Sequence, residues 1–132
     1  MILDADALSS QRYLIVGYFS IALKILSLNK KLLPAQRKKI TGRMDDGKKV
    51  ASFLIGQLSR SDGYSTEQLP GAEILYKAMD IISKIHERIG GRLVLLECDN
   101  KANLRNFYES NDFHYLQMQS NKEHLIQMIR LF

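Results

Sequence analysis

Cysteine occurs once, as Cys98, and proline only twice. A lone cysteine excludes an internal disulfide framework and fits a reducing compartment. No apolar run approaches the roughly 20 residues that a helix needs to cross a bilayer. The opening MILDADALSS carries acids where a secretory leader carries basic residues, and it has no long apolar block. The sequence is therefore read as cytoplasmic, with no membrane partner. His86, His114 and His124 are scattered and Cys98 has no partner cysteine, so no metal site is expected. There is no nucleophile elbow and no P-loop lysine motif. Gly17, Gly56, Gly63 and Gly71 do not make a dinucleotide fingerprint.

What is present is an ordinary globular composition, 45% hydrophobic and 25% charged. With no repeat, low-complexity tract or dividing linker, residues 1–132 read as a single domain. The net charge of +5 is uneven: residues 30–49 hold eight basic and two acidic residues. Such a segment is either a solvated face or a recruiter of phosphate, RNA or an acidic partner.

Residues 13–28 read as a strand with Phe19, Ile21, Leu23 and Ile25 on one face and Tyr18, Ser20, Ala22 and Lys24 on the other. MILDA reads as a shorter antiparallel strand before it, with DALSSQ as the turn. A connection over 29–49 carries a short helix near 34–40. A strand follows over 50–59, then a polar loop. A long helix over 71–89 has Ile74, Leu75, Ala78, Ile81, Ile82, Ile85 and Ile89 at helical spacing and is stopped by Gly90-Gly91. RLVLLEC is a strand of the kind buried on both faces. DNKANLRNFYES is a shorter helix, and HYLQMQ and HLIQMIRLF are two last strands joined by SNKE. The strand–helix–strand unit at 50–98 implies one parallel pair with a right-handed crossover. The expected fold is α/β: a mixed, mainly antiparallel sheet with flanking helices.

Two stretches carry chemistry. In IGQLSRSDGYSTEQLPGAEILYKAM a strand leads through a loop into a helix that begins near Gly71. The free N–H groups of a helix start attract anions, and a glycine lets them approach the main chain. Many helices also begin at Pro-Gly and bind nothing. The second stretch is LVLLECDNKANLRNFYESNDFHYLQ, with Phe107, Tyr108, Glu109, Asp112 and Phe113 at its centre. It resembles the pattern of GNAT-type N-acetyltransferases: a strand ending in an acidic/Asn turn, a short helix closing on F-Y-E-x-x-G-F, and a further strand. Together with the upstream strand–loop–helix, the resemblance covers residues from about 15 to 132.

The resemblance implies an acyl-CoA N-acyltransferase fold that begins at about the second strand of the family, short of its usual N-terminal strand and helices. It implies acetyl-CoA as co-substrate and an amine acceptor, either a protein lysine or an aminoacyl-tRNA. Gln68, Gly71 and Ala72 fall in the phosphate loop, where Glu73 departs from the family's final small residue. Leu58, Ser59 and Arg60 fall where the pantetheine arm pairs with a strand, and Asn103 falls beside that arm. Tyr108 matches the general acid of the family; its other reading is a core aromatic with a satisfied hydroxyl. Asp112 replaces the glycine of the G-F pair, a mild change because Asp tolerates the left-handed conformation. Glu97 and Asp99 share a face at the strand end, where either would relay a proton through water, or Asp99 or Asn100 would cap the next helix. A catalytically inactive GNAT-like binding or inhibitor module is the alternative. A homodimer is expected, because the absent N-terminal elements would leave an edge or an apolar face uncovered.

Overall fold

Long runs of alternating apolar residues and one glycine-stopped amphipathic helix dictate the frame. The computed structural model describes residues 1–11, 14–42, 48–119 and 123–132. In chain order the elements are β1 (Ile2–Leu3), α1 (Ala5–Ser9), β2 (Ile15–Ser27), α2 (Pro34–Thr41), β3 (Lys49–Arg60), α3 (Gly71–Ile89), β4 (Leu93–Cys98), α4 (Ala102–Glu109), β5 (His114–Met118) and β6 (Ile126–Leu131). They form one six-stranded sheet in the order β1-β2-β3-β4-β6-β5. Only β3 and β4 are parallel, joined by the α3 crossover; the other four pairs are antiparallel. The mixed α/β sheet expected from the sequence is the one observed. Tyr13, at the start of the expected first long strand, lies outside the described residues, as do residues 43–47 of the basic segment and 120–122 of the last hairpin.

β4 is the centre of the molecule. Leu93, Val94, Leu95 and Leu96 are at most 2% exposed, which explains the unbroken apolar run. Their alternation feeds two cores. Val94, Leu96 and Cys98 pack with Phe53, Ile55, Leu75, Ile82, Tyr108 and Phe113 under α3 and α4. Leu93 and Leu95 pack with Leu26, Val50, Ile40 and Ile129 on the opposite face, which α2 covers. Arg92 ties α2 down: its guanidinium donates to the carbonyls of Ile40 and Lys39, the last turn of that helix, where a cation complements the dipole.

The N-terminal segment differs from expectation. The strand shrinks to Ile2–Leu3, and the expected turn is a short helix, α1. Asp4 is the cause, since its Oδ1 accepts from the N–H groups of Asp6 and Ala7 at 2.9 and 3.1 Å. Its Oδ2 accepts from the Tyr64 hydroxyl at 2.7 Å, fastening the 61–69 loop to the N-terminus. Asp4→Ala should therefore lower stability by about 1–2 kcal/mol, measurable as a shifted denaturation midpoint at constant slope.

On β2, Phe19 and Ile21 pack against the core as their face predicts. Leu23 and Ile25, on the same face, stay 70% and 61% exposed. Only Ile15 and Gly17 pair with β1, so from Tyr18 onward the outer edge of β2 has no strand neighbour among the described residues. On α3 the expected stripe narrows: Ile74, Leu75, Ala78 and Ile82 are buried, while Ile81 and Ile89 are exposed.

Candidate functional site

The parallel ladder between β3 and β4 ends at Ile55 and Leu96. β3 nevertheless continues to Arg60, held by β2 on its other side through Tyr18–Ser59 and Gly17–Arg60 pairing. The two strands therefore part, and residues 56–60 turn their β4-side main-chain groups toward no strand among the described residues. A bulge accompanies the parting. Between the Tyr18–Ser59 and Ser20–Gly56 pairs β3 holds an extra residue, and Gln57 adopts φ +51°. A non-glycine residue in that region is strained and re-aims the strand. The opening is thus lined on one side by Leu58, Ser59 and Arg60.

Tyr108 stands on the α3/α4 side of this opening. Its ring is 8% exposed and sits edge-on to Phe107 at 5.1 Å and Phe113 at 6.1 Å. Burial, and secondarily the neighbouring Cys98, pushes the phenol above the ordinary tyrosine range. The hydroxyl makes no hydrogen bond to a described residue. Cys98 is also raised, first by burial and then by Asp99, against an opposing pull from Arg105. After α4 the chain turns at Asp112 with φ +69°, the left-handed conformation that a glycine would supply. This brings Phe113 back into the core, where its N–H donates to the Tyr108 carbonyl at 3.0 Å.

At the other end of the opening α3 begins behind Pro70, with no side chain capping it. The N–H groups of Glu73 and Ile74 turn back to the Pro70 carbonyl, while those of Gly71 and Ala72 meet no acceptor among the described residues. A Cβ on Gly71 would lie 3.2 Å from the Phe107 ring. The glycine thus also serves packing between α3 and α4, a role the sequence did not indicate. Gln68 is used inside the loop: its Oε1 accepts from Ser65 N–H at 2.8 Å. Arg60 donates to the Leu69 carbonyl at 3.2 Å, bracing the turn before α3. Asn103 is exposed on the first turn of α4. Neither Asp99 nor Asn100 caps that helix, whose N-cap is Lys101 without a side-chain bond.

Glu97 lies on the other face of the sheet, with Leu93 and Leu95, away from Tyr108. Lys24 of β2 pairs with its Oε1 at 2.5 Å, and Gln127 donates to its Oε2 at 3.3 Å. Gln127 in turn receives Gln117 at 2.6 Å. Lys24, Gln117 and Gln127 were not anticipated from the sequence; the signal was two glutamines at inward positions of otherwise apolar strands. Among the described residues no group of His, Cys, Asp and Glu could hold a metal ion, and no helix is long and apolar enough to cross a membrane.

No protein-family model and no curated protein matches the sequence. Solved structures do match it. A bacterial toxin superposes with a TM-score of 0.68 at 17% identity over 92% of this chain and 63% of its own. The AtaT toxin complexed with acetyl-methionyl-tRNAfMet gives 0.57 at 20% identity over 84% and 61%. A tyrosine-to-phenylalanine mutant of AtaT bound to the C-terminus of the antitoxin AtaR gives 0.55 at 15% identity over 88% and 58%. This chain thus spans less than two thirds of each of these proteins. The likeness is one of fold: with its six-stranded mixed sheet and single parallel pair, the fold of this chain is GNAT-like.

Proposed function

We propose that the chain is an acetyl-CoA-dependent N-acetyltransferase whose acceptor is an amine on a macromolecule, an aminoacyl-tRNA or a protein lysine. The observation that carries this reading is the opening past Ile55 and Leu96, with a free strand edge on one side, a buried phenol beneath and an uncapped helix start at its end. An acetyl-CoA molecule fits these donors. The main chain of Leu58, Ser59 and Arg60 pairs with the amides of the pantetheine arm as an added strand would. The N–H groups of Gly71 and Ala72 take the pyrophosphate, with Gln68 holding the loop that presents them. Asn103 offers its amide beside the arm. Acetyl-CoA supplies the activated thioester.

A main-chain N–H near Leu58–Arg60 holds the charge that develops on the carbonyl oxygen, and Tyr108 gives its proton to the departing thiolate. The amine approaches from the face of Glu97. Lys24 and Gln127 fix its two oxygens, and the remaining lone pairs orient the ammonium and pass its proton to water. Acid and relay thus stand on opposite faces of the sheet, one on each side of the opening between β3 and β4.

One observation favours a binding module without catalysis: Glu73 adds a carboxylate to the first turn of α3, close to the expected phosphates. Calorimetry with acetyl-CoA separates the two readings. Saturable binding followed by acetyl transfer to aminoacyl-tRNA or to a lysine peptide, followed by mass spectrometry, is the expected result; binding without transfer to either acceptor leaves the module. The macromolecular acceptor is supported by AtaT, whose complex contains an acetylated aminoacyl-tRNA, and by the basic segment. Neutralising Lys30, Lys31, Arg37, Lys38 and Lys39 should leave the acetyl-CoA affinity within about twofold, since these charges sit on the connection and α2, away from the opening. The open β2 edge with Leu23 and Ile25 exposed beside it supports a homodimer, and a sedimentation run at micromolar protein that gives only the 15.1 kDa species removes it.

A further inference from the structure

The Lys24–Glu97 pair is the end of a longer chain of hydrogen bonds, and its direction is fixed from the far end. The N–H of Asn29 donates to Gln117 Oε1 at 2.7 Å. A main-chain N–H cannot reverse, so the Gln117 amide nitrogen must face the Ser27 carbonyl, 2.8 Å away, and Gln127 Oε1, 2.6 Å away. Gln127 is thereby left with its nitrogen toward Glu97 Oε2. Both glutamines are buried, at 7% and 5% exposure, so each amide hydrogen bond is costly to break. The chain holds Glu97 in place, and Glu97 holds the Lys24 ammonium. Ser52 Oγ, donating to the Lys24 carbonyl at 2.8 Å, fixes the backbone beneath it. An ammonium has three donors. One is spent on Glu97, and the side chain stays 38% exposed.

Those remaining donors point into a place of distinct character. A cavity of about 600 Å³ runs along the end of β2, over the chain leaving it and past the end of β5. Lys24, Lys30, Lys31, Asn29, Gln117 and Gln127 line it, and among the described residues no carboxylate does. Lys30 and Lys31 are exposed and form no ion pair among the described residues. The groove therefore carries three cations, one of them held by buried structure, on the face opposite Tyr108.

We infer that this groove binds a phosphate group of the acceptor, with Lys24 as its fixed cation and Lys30 and Lys31 as its mobile ones. The inference rests on the reading of the opening as an acetyl-CoA site with the amine entering from the Glu97 face. Its role is positioning and specificity: an acceptor whose phosphate sits here presents its amine beside Glu97.

The test titrates inorganic pyrophosphate into the full chain, followed by calorimetry and by amide NMR, with and without saturating acetyl-CoA. Pyrophosphate should shift the signals of residues 24, 29–31, 117 and 127 and should bind in the presence of acetyl-CoA as well as in its absence. Lys24→Met should weaken it roughly tenfold and Lys24→Arg only about threefold, because a guanidinium keeps the charge. Acetyl-CoA affinity should stay within about twofold in both. Should Lys24→Met unfold the chain, the surface variant Lys30→Gln/Lys31→Gln carries the same test. Displacement of pyrophosphate by a short single-stranded RNA identifies a polynucleotide source, and displacement by phosphoethanolamine a small phosphorylated amine; displacement by neither overturns the inference. So does pyrophosphate binding equally tightly to parent and variants, or its expulsion by acetyl-CoA. A parent chain that takes pyrophosphate in the groove but never binds acetyl-CoA refutes the transferase reading and leaves the groove standing.

Discussion

Tyr108→Phe should lower acetyl transfer by about 10²–10⁴-fold while leaving acetyl-CoA affinity almost unchanged. The ring is what packs: it meets Phe107 and Phe113 edge-on and is buried with the α3/α4 core. Only an oxygen that bonds to no described residue is removed, so no partner is left unsatisfied and the melting temperature should barely move. What is lost is the proton for the thiolate. The loss should shrink with a thioester whose thiol is more acidic, since such a leaving group needs less protonation. The pH profile gives a second check. Burial raises the phenol's pKa, so the proton-bearing form persists throughout the neutral range and beyond the ordinary tyrosine value. An acid works below its pKa, so turnover should fall only as pH climbs through that raised value, and the alkaline limb should vanish in the variant. A rate within a few-fold of the parent, with a lowered melting temperature, assigns Tyr108 to the core alone.

How far the sequence carried depended on the range of the interaction behind each feature. α3 was legible to the residue because its apolar stripe is periodic and both ends are marked, by Pro70-Gly71 and by Gly90. Asp112 was legible because left-handed backbone leaves a mark on residue type. α1 was not: Met-Ile-Leu reads as a strand, and the cap that makes the helix is a single acid, Asp4, acting over three residues. The opening itself was placed only through family resemblance. It depends on a ladder that stops at Ile55 and on a bulge at Gln57, a residue type that announces no positive φ. The Lys24–Glu97 pair spans 73 positions and the Gln117–Ser27 bond 90, and no local pattern encodes either. Gly71 carried two messages at once. Its place before a helix pointed to an anion, while the contact that makes a side chain costly there is the ring of Phe107, on the next helix.

That double role shapes the test of the phosphate site. Gly71→Asp would bring both a charge and a clash with Phe107, and a loss of binding would not say which mattered. Ala72 is the better position: it is exposed, and its N–H is the other free donor at the start of α3. Ala72→Asp should stabilise the unliganded chain slightly, because a carboxylate suits a helix N-terminus, by about 0.3–1 kcal/mol. It should weaken acetyl-CoA by roughly ten- to thirtyfold, about 1–2 kcal/mol, since the same carboxylate then competes with the pyrophosphate for the helix start and repels it. Ala72→Asn, of nearly equal size and no charge, should lose much less. Raising the salt should narrow the gap between the two variants, as screening weakens a repulsion between partly exposed charges. Gly71→Ala supplies the steric half alone: the Phe107 ring must yield by a few tenths of an ångström, so a lowered melting temperature is expected with no such salt dependence. An Ala72→Asp chain that is folded and binds acetyl-CoA as tightly as its parent puts the pyrophosphate somewhere other than the start of α3.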